Sequence, residues 1–201
     1  MVMKKNDNNK DIETRRVTDN NITAKEDRSV EGYAVVFNTM SEDIGFREVI
    51  HDGAITEETI KNSDIYACLN HDEDKILARS KNGKGSLVLE VDPIGLRYLF
   101  EAPRTVWGDE LIEHLNRGEI NASSFAFTID KNDPTAEKWT KESDGTLRRD
   151  IYHIHRLYDV SPVYSPAYNA TSCCHRFSDV KDLSDIIDTK YTQMLDEVEK
   201  L

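Results

Sequence analysis

The chain has 201 residues, with 26 Lys and Arg against 38 Asp and Glu and a formal net charge of -12. A surface this acidic repels phosphate, which argues against DNA or RNA as a ligand, and no apolar run approaches the roughly 20 residues that a membrane helix needs. Three cysteines, Cys68, Cys173 and Cys174, two of them adjacent, make neither a disulfide framework nor a CxxC metal pair, so a reducing compartment is expected.

Residues 1–28 are polar and are expected to form a flexible arm, adding at most one strand around 13–17. The opening ten residues carry no apolar h-region, so a secretory signal is not expected. The segment 30–37 (VEGYAVVF) is rich in β-branched and aromatic residues and predicts a strand, as does 46–50 (FREVI). Thr56 followed by Glu57 and Glu58 predicts the N-cap and first turn of a short helix ending at Lys61. The apolar run 65–70 predicts a buried strand ending at His71. Asn82 to Gly85 predicts a turn, with a hairpin formed by 77–80 and 86–91.

Residues 96–101 (LRYLFE) alternate and predict another strand. Trp107, Leu111 and Leu115 recur every fourth residue and predict a helix over 105–116, closed by Gly118. Strands are predicted over 120–130 (INASSFAFTID) and, as one long bulged element, over 147–163, with 131–145 between them as a polar loop or the tip of a long hairpin. Leu183, Ile186, Ile187, Tyr191, Met194, Leu195 and Val198 keep helical spacing, so 178–201 is expected to be an amphipathic helix. Consecutive strands with hairpin turns point to a mostly β fold with helical insertions: a largely antiparallel, closed barrel of about seven strands.

A serine hydroxyl becomes a nucleophile only beside a base, and the base needs a group to orient it. Alternation along 120–130 places Ser123, Phe125, Phe127 and Ile129 on one face and Ser124, Ala126 and Thr128 on the other. The first face is the core, so Ser124 rather than Ser123 is the serine that can meet a substrate. His71 ends an apolar strand and is the candidate base. Asp72 adjoins it, but neighbours on a strand point to opposite faces. His153, His155 and Asp159 share a parity and reach one face if no bulge intervenes, so each is a candidate to orient His71. His153 and His155 with His71 would also suit a metal, but no HExxH-type motif supports one.

Several short segments stand in a fixed order: Glu31-Gly32-Tyr33-Ala34 with Phe37, Phe46-Arg47-Glu48-Val49-Ile50, Gly53-Ala54, and Leu69-Asn70-His71-Asp72. Asp92 with Gly95-Leu96, Arg117-Gly118-Glu119-Ile120, Ser124-Phe125-Ala126-Phe127 and Trp139 follow. Leu157-Tyr158-Asp159-Val160-Ser161-Pro162-Val163 and Pro166-Ala167-Tyr168 close the series. In this order and spacing the chain resembles the HK97-type prohead (capsid maturation) proteases of tailed phages, a family related to the herpesvirus assemblins.

The resemblance implies an assemblin-like protease domain over 29–177. It places Ser124 as nucleophile and His71 as general base. Asp159 stands at the family's acidic position and is implied as the third member, with His155 and His153 as alternatives. Phe125 and Ala126 are implied as neighbours of a bound substrate strand. A serine endopeptidase follows, acting in the host cytoplasm inside an assembling prohead. Its implied partners are the major capsid protein precursor with its scaffold segment, and further copies of itself. No metal, cofactor, nucleic acid or membrane is expected. The rival expectation is a non-catalytic capsid-assembly scaffold that keeps the protease fold.

Overall fold

A computed structural model describes residues 11–17, 22–25 and 27–164. In chain order the strands are β1 (Glu13–Val17), β2 (Thr23–Ala24), β3 (Ser29–Val36) and β4 (Arg47–Ile50), followed by helix α1 (Glu57–Lys61). Next come β5 (Asp64–Cys68), β6 (Ile76–Lys81), β7 (Lys84–Gly85), β8 (Val88–Val91) and β9 (Gly95–Glu101). Helix α2 (Val106–Asn116) precedes β10 (Ile120–Thr128), β11 (Glu137–Lys141), β12 (Leu147–Ile151) and β13 (Arg156–Tyr164).

Both helices start where their caps dictate. Thr56 Oγ1 accepts from the Thr59 N–H, while Thr59 Oγ1 accepts from the Thr56 N–H, a reciprocal pair that satisfies two otherwise orphaned donors. In α2, Thr105 accepts from the Gly108 N–H, and Leu111 is fully buried. Trp107 is 37% exposed, so the predicted stripe is only partly covered.

Three sheets form, in the orders β1-β10-β13-β5-β6-β7, β2-β3-β9-β8 and β11-β12-β4. Tyr98, Phe100 and Leu96 of β9 join Phe125 and Phe127 of β10 in one buried core. Burying each such side chain contributes about 1.5–3 kcal/mol. Gly32 on β3 lies opposite Tyr98, and a Cβ there would meet the tyrosine hydroxyl at 2.8 Å. That bare backbone gives the ring its place.

The mostly β character holds, but the expected closed barrel does not form. Among the described residues the sheets are open, and β13–β5 and β12–β4 pair in parallel. The barrel expectation assumed that each strand turns back beside the last, whereas parallel neighbours need a crossover.

Other departures share a cause, which is that strands change partners between sheets. The Asn82–Gly85 turn returns only the two residues of β7. Leu87 is then buried, and β8 pairs with β9 in another sheet. The single strand expected over 147–163 is β12 and β13, in two different sheets, with 152–155 between them. The polar loop before it contains β11, paired with β12. Within the expected arm, β1 is the strand expected over 13–17, while β2 is a second one, and both are built into sheets. The helix expected over 178–201 lies outside the described residues.

Candidate active site

Strand β10 separates its two serines as alternation requires. Ser123 is fully buried, and its hydroxyl pairs with that of Tyr98 at 2.9 Å. Burial holds the Tyr98 phenol neutral by raising its pKa, so it serves here as a structural hydrogen-bonding group. Ser124 faces the other way. Its direct cross-strand partners are Arg16 on β1 and Ser161 on β13. The Ser124 hydroxyl donates to the Arg15 backbone carbonyl at 2.7 Å.

The face that carries Ser124 is covered. Ser124, Ala126 and Thr128 are 1%, 7% and 8% exposed. Both edges of β10 are taken, by β1 on one side and β13 on the other. The extended substrate strand expected beside β10 therefore has no open edge there. Phe125 belongs to the core, and Ala126 lies across from Asp159. The Arg16 Nε, on the residue opposite Ser124, is buried with no hydrogen-bond partner among the described residues.

His71 does not continue a strand. β5 stops at Cys68, and residues Leu69–His71 form a single tight turn. Asn70 and His71 both take positive φ, at 53° and 61°. Such conformations cost non-glycine residues of order 1–3 kcal/mol each and persist only where the surroundings hold them. The turn brings His71 to β13, where its Nδ1 lies 2.9 Å from Asp159 Oδ1.

A bulge on β13 selects Asp159. Phe125 pairs with Val160 and Ala126 with Asp159, but Phe127 pairs with Leu157, leaving Tyr158 as the extra residue. The bulge keeps Leu157 and Val160 both in the core although they stand three apart. Asp159 and Ser161 are left on the Ser124 face.

His153 and His155 are not brought there. Both lie between β12 and β13. The His153 ring meets Asp133 at 3.1 Å, while His155 donates its backbone N–H to the Thr128 carbonyl. Asp133 is held down at about 2 by the side chain and backbone N–H of Thr135 and by His153. Among the described residues no three His, Cys, Asp or Glu side chains gather as metal ligands.

Asp159 meets a partner on each oxygen. Oδ1 lies 2.9 Å from His71 Nδ1, an ion-pair approach at which it accepts no hydrogen bond among the described residues, and Oδ2 accepts from the Ser161 hydroxyl at 2.7 Å. Ser161, fully buried, also accepts the Cys68 N–H at 2.9 Å. Sequence reasoning read Ser161 only as part of a motif, because nothing in the chain announces a hydroxyl's partners.

A second feature had no sequence signal. Arg149 and Glu48 are buried, and Arg149 contacts Glu13, Glu48 at 3.0 Å and Glu137 at 2.5 Å. Arg15 bonds Glu48 at 2.7 Å and Glu13 at 2.7 Å. Burial acts to raise the Glu13 pKa, but Arg149 and Arg15 outweigh it and hold the carboxyl below its ordinary range. Burial likewise opposes the Arg149 charge, and its three carboxylates overcome it and push its pKa up. The cluster fastens β1 to β4, β11 and β12. It thereby fixes the Arg15 carbonyl against Ser124.

β13 thus sets Asp159 and Ser161 on the Ser124 face, and His71 approaches that carboxylate from the turn after β5. The family model of the Caudovirus prohead serine proteases matches residues 10–185, and the chain belongs to that family. Among solved structures, the bacteriophage T4 capsid assembly protease is similar at 11% identity, with a TM-score of 0.47 over 77% of this chain and 99% of that one. No curated protein sequence matches the chain.

Proposed function

We propose that the chain is a serine endopeptidase that cleaves the capsid precursor with its scaffold segment, and itself, inside the assembling prohead. Ser124 is the nucleophile, His71 the general base and Asp159 the group that orients it. The observation that carries this reading is the 2.9 Å approach of His71 Nδ1 to Asp159 Oδ1, on the sheet face to which Ser124 belongs. Membership of a serine protease family supports it.

With Nδ1 turned to Asp159, Nε2 is the nitrogen that takes the serine proton. The Ser124 hydroxyl leaves the Arg15 carbonyl and turns to His71. Its oxygen then bonds to the scissile carbonyl carbon while the proton passes to Nε2. The Asp159 carboxylate stabilises the resulting imidazolium. The C–N bond breaks as His71 returns that proton to the leaving amine, giving an acyl-enzyme. Water, deprotonated by His71, then attacks the ester carbon and regenerates Ser124. Because both edges of β10 are paired and Ser124 is buried, substrate reaches the serine only when its cover, which includes the Arg15 carbonyl of β1, is displaced.

The test is co-expression of the chain with its capsid precursor. The unaltered chain is expected to process the precursor and itself, and Ser124→Ala to do neither while keeping the same unfolding transition. Processing that persists in Ser124→Ala would overturn the assignment.

A further inference from the structure

We infer that Ser161 is a positioning residue of the same site, setting the Asp159 carboxylate for His71 and joining the two strands that carry them. The inference rests on the proposed roles of Ser124, His71 and Asp159. It begins from a weakness in the sheet. β5 and β13 are parallel neighbours whose register includes only the pair Asp159 and Tyr66. The end of β5 must nonetheless be held, because the His71 turn follows at once.

The Cys68 N–H is the last donor of β5, and it goes to the Ser161 hydroxyl at 2.9 Å. A side chain stands where a ladder carbonyl would otherwise accept. The hydroxyl's own proton goes to Asp159 Oδ2 at 2.7 Å. One oxygen therefore accepts from the His71 strand and donates to the carboxylate that meets His71.

The directions of these bonds matter. A carboxylate free to rotate about its last torsion would present either oxygen to the imidazole at varying distance. The Ser161 proton occupies Oδ2 and leaves Oδ1 for Nδ1. Ser161 is also fully buried, so water cannot replace its hydroxyl without a cavity. Since Ser161 is the direct cross-strand partner of Ser124, the residue that sets the carboxylate is also fixed against the nucleophile strand. Ser161 touches no reacting atom in this account and acts through Asp159.

The experiment reads nucleophile activation without requiring a known cleavage sequence. The full chain is titrated with a fluorophosphonate probe, and the maximal rate and half-saturating concentration of Ser124 labelling are measured. Ser161→Ala is expected to lower the maximal rate about tenfold to a hundredfold, the scale of a misplaced catalytic group. Half-saturation is expected to stay within about twofold, as reach to the serine is unaltered.

Ser161→Thr and Ser161→Val share one shape and differ in the hydroxyl. They carry the same steric burden should the alanine variant fold poorly. The threonine variant is expected to label at least about tenfold faster than the valine variant. In an Asp159→Ala background, Ser161→Ala is expected to change nothing further. Equal rates for Thr and Val, or a Ser161→Ala loss that persists in full without Asp159, would overturn the inference. Failure of the unaltered chain to label Ser124 would instead overturn the proposed triad.

Discussion

Asp159 Oδ1 lies 2.9 Å from His71 Nδ1, across the parallel neighbours β5 and β13. The contact exists because each residue leaves regular geometry nearby. His71 sits in a left-handed turn after β5, and Asp159 follows a bulge at Tyr158. Replacing Asp159 with Asn keeps the shape and removes the charge that stabilises the imidazolium in the proposed mechanism. Asp159→Asn is expected to slow Ser124 labelling by about 10³–10⁴-fold. Maximal labelling rates, measured on variants with matched unfolding transitions, check this.

The two adjacent serines should fail differently. Ser123→Ala leaves the buried Tyr98 hydroxyl without its partner and is expected to cost about 1–3 kcal/mol of stability. Labelling of Ser124 should stay within about threefold, since Ser123 faces the core. Ser124→Ala should abolish labelling and change stability by no more than about 1.5 kcal/mol. Urea unfolding of both variants, alongside labelling, separates the roles.

Arg149 carries the attachment of β1. Arg149→Met removes the cation that Glu13, Glu48 and Glu137 share, leaving Arg15 alone against Glu13 and the buried Glu48. A loss of about 3–5 kcal/mol is expected, as for one partner of a buried ion pair. Hydrogen exchange should rise most in β1, whose Glu13 and Arg15 depend on the cluster. Exchange read by mass spectrometry checks both parts.

The same cluster makes stability sensitive to acid. Burial raises the Glu13 pKa, but Arg149 and Arg15 bring it below the ordinary glutamate value. Asp150 follows the same pattern, with burial opposed by His51 and Arg148. A carboxyl whose pKa is lower folded than unfolded stabilises the fold above its unfolded pKa. That contribution is lost as pH falls through the folded pKa. Stability is thus expected to hold at neutral pH and decline once pH drops below about 4.5, the usual glutamate range. Glu13→Gln should be less stable at neutral pH and show a shallower acid decline. Urea midpoints across that range test the sign.

Much of the site was legible because strand parity is a local property. Ser123 and Ser124 had to face opposite ways, and the Tyr98 bond to Ser123 shows which face is core. The helix cap at Thr56 was equally local. What failed was long-range. The pattern over 147–163 pointed to a bulge but could not place it at Tyr158, nor show that β12 and β13 belong to different sheets. His153 and His155 therefore shared a parity with Asp159 on paper and share no face with it in the fold. The closed barrel failed for the same reason, since the pairing of β13 with β5 leaves no local trace. Nothing in the chain announces that Glu48 and Arg149, 101 residues apart, are buried together.

The central claim is that His71 activates Ser124, and site-mapped fluorophosphonate labelling of the full chain tests it most directly. The account predicts one modified residue, Ser124, in the peptides of the labelled chain, with labelling lost in Ser124→Ala and reduced at least about a thousandfold in His71→Ala. A chain that folds but takes no label at Ser124, or labels there equally well without His71, would contradict it and favour a non-catalytic capsid-assembly role.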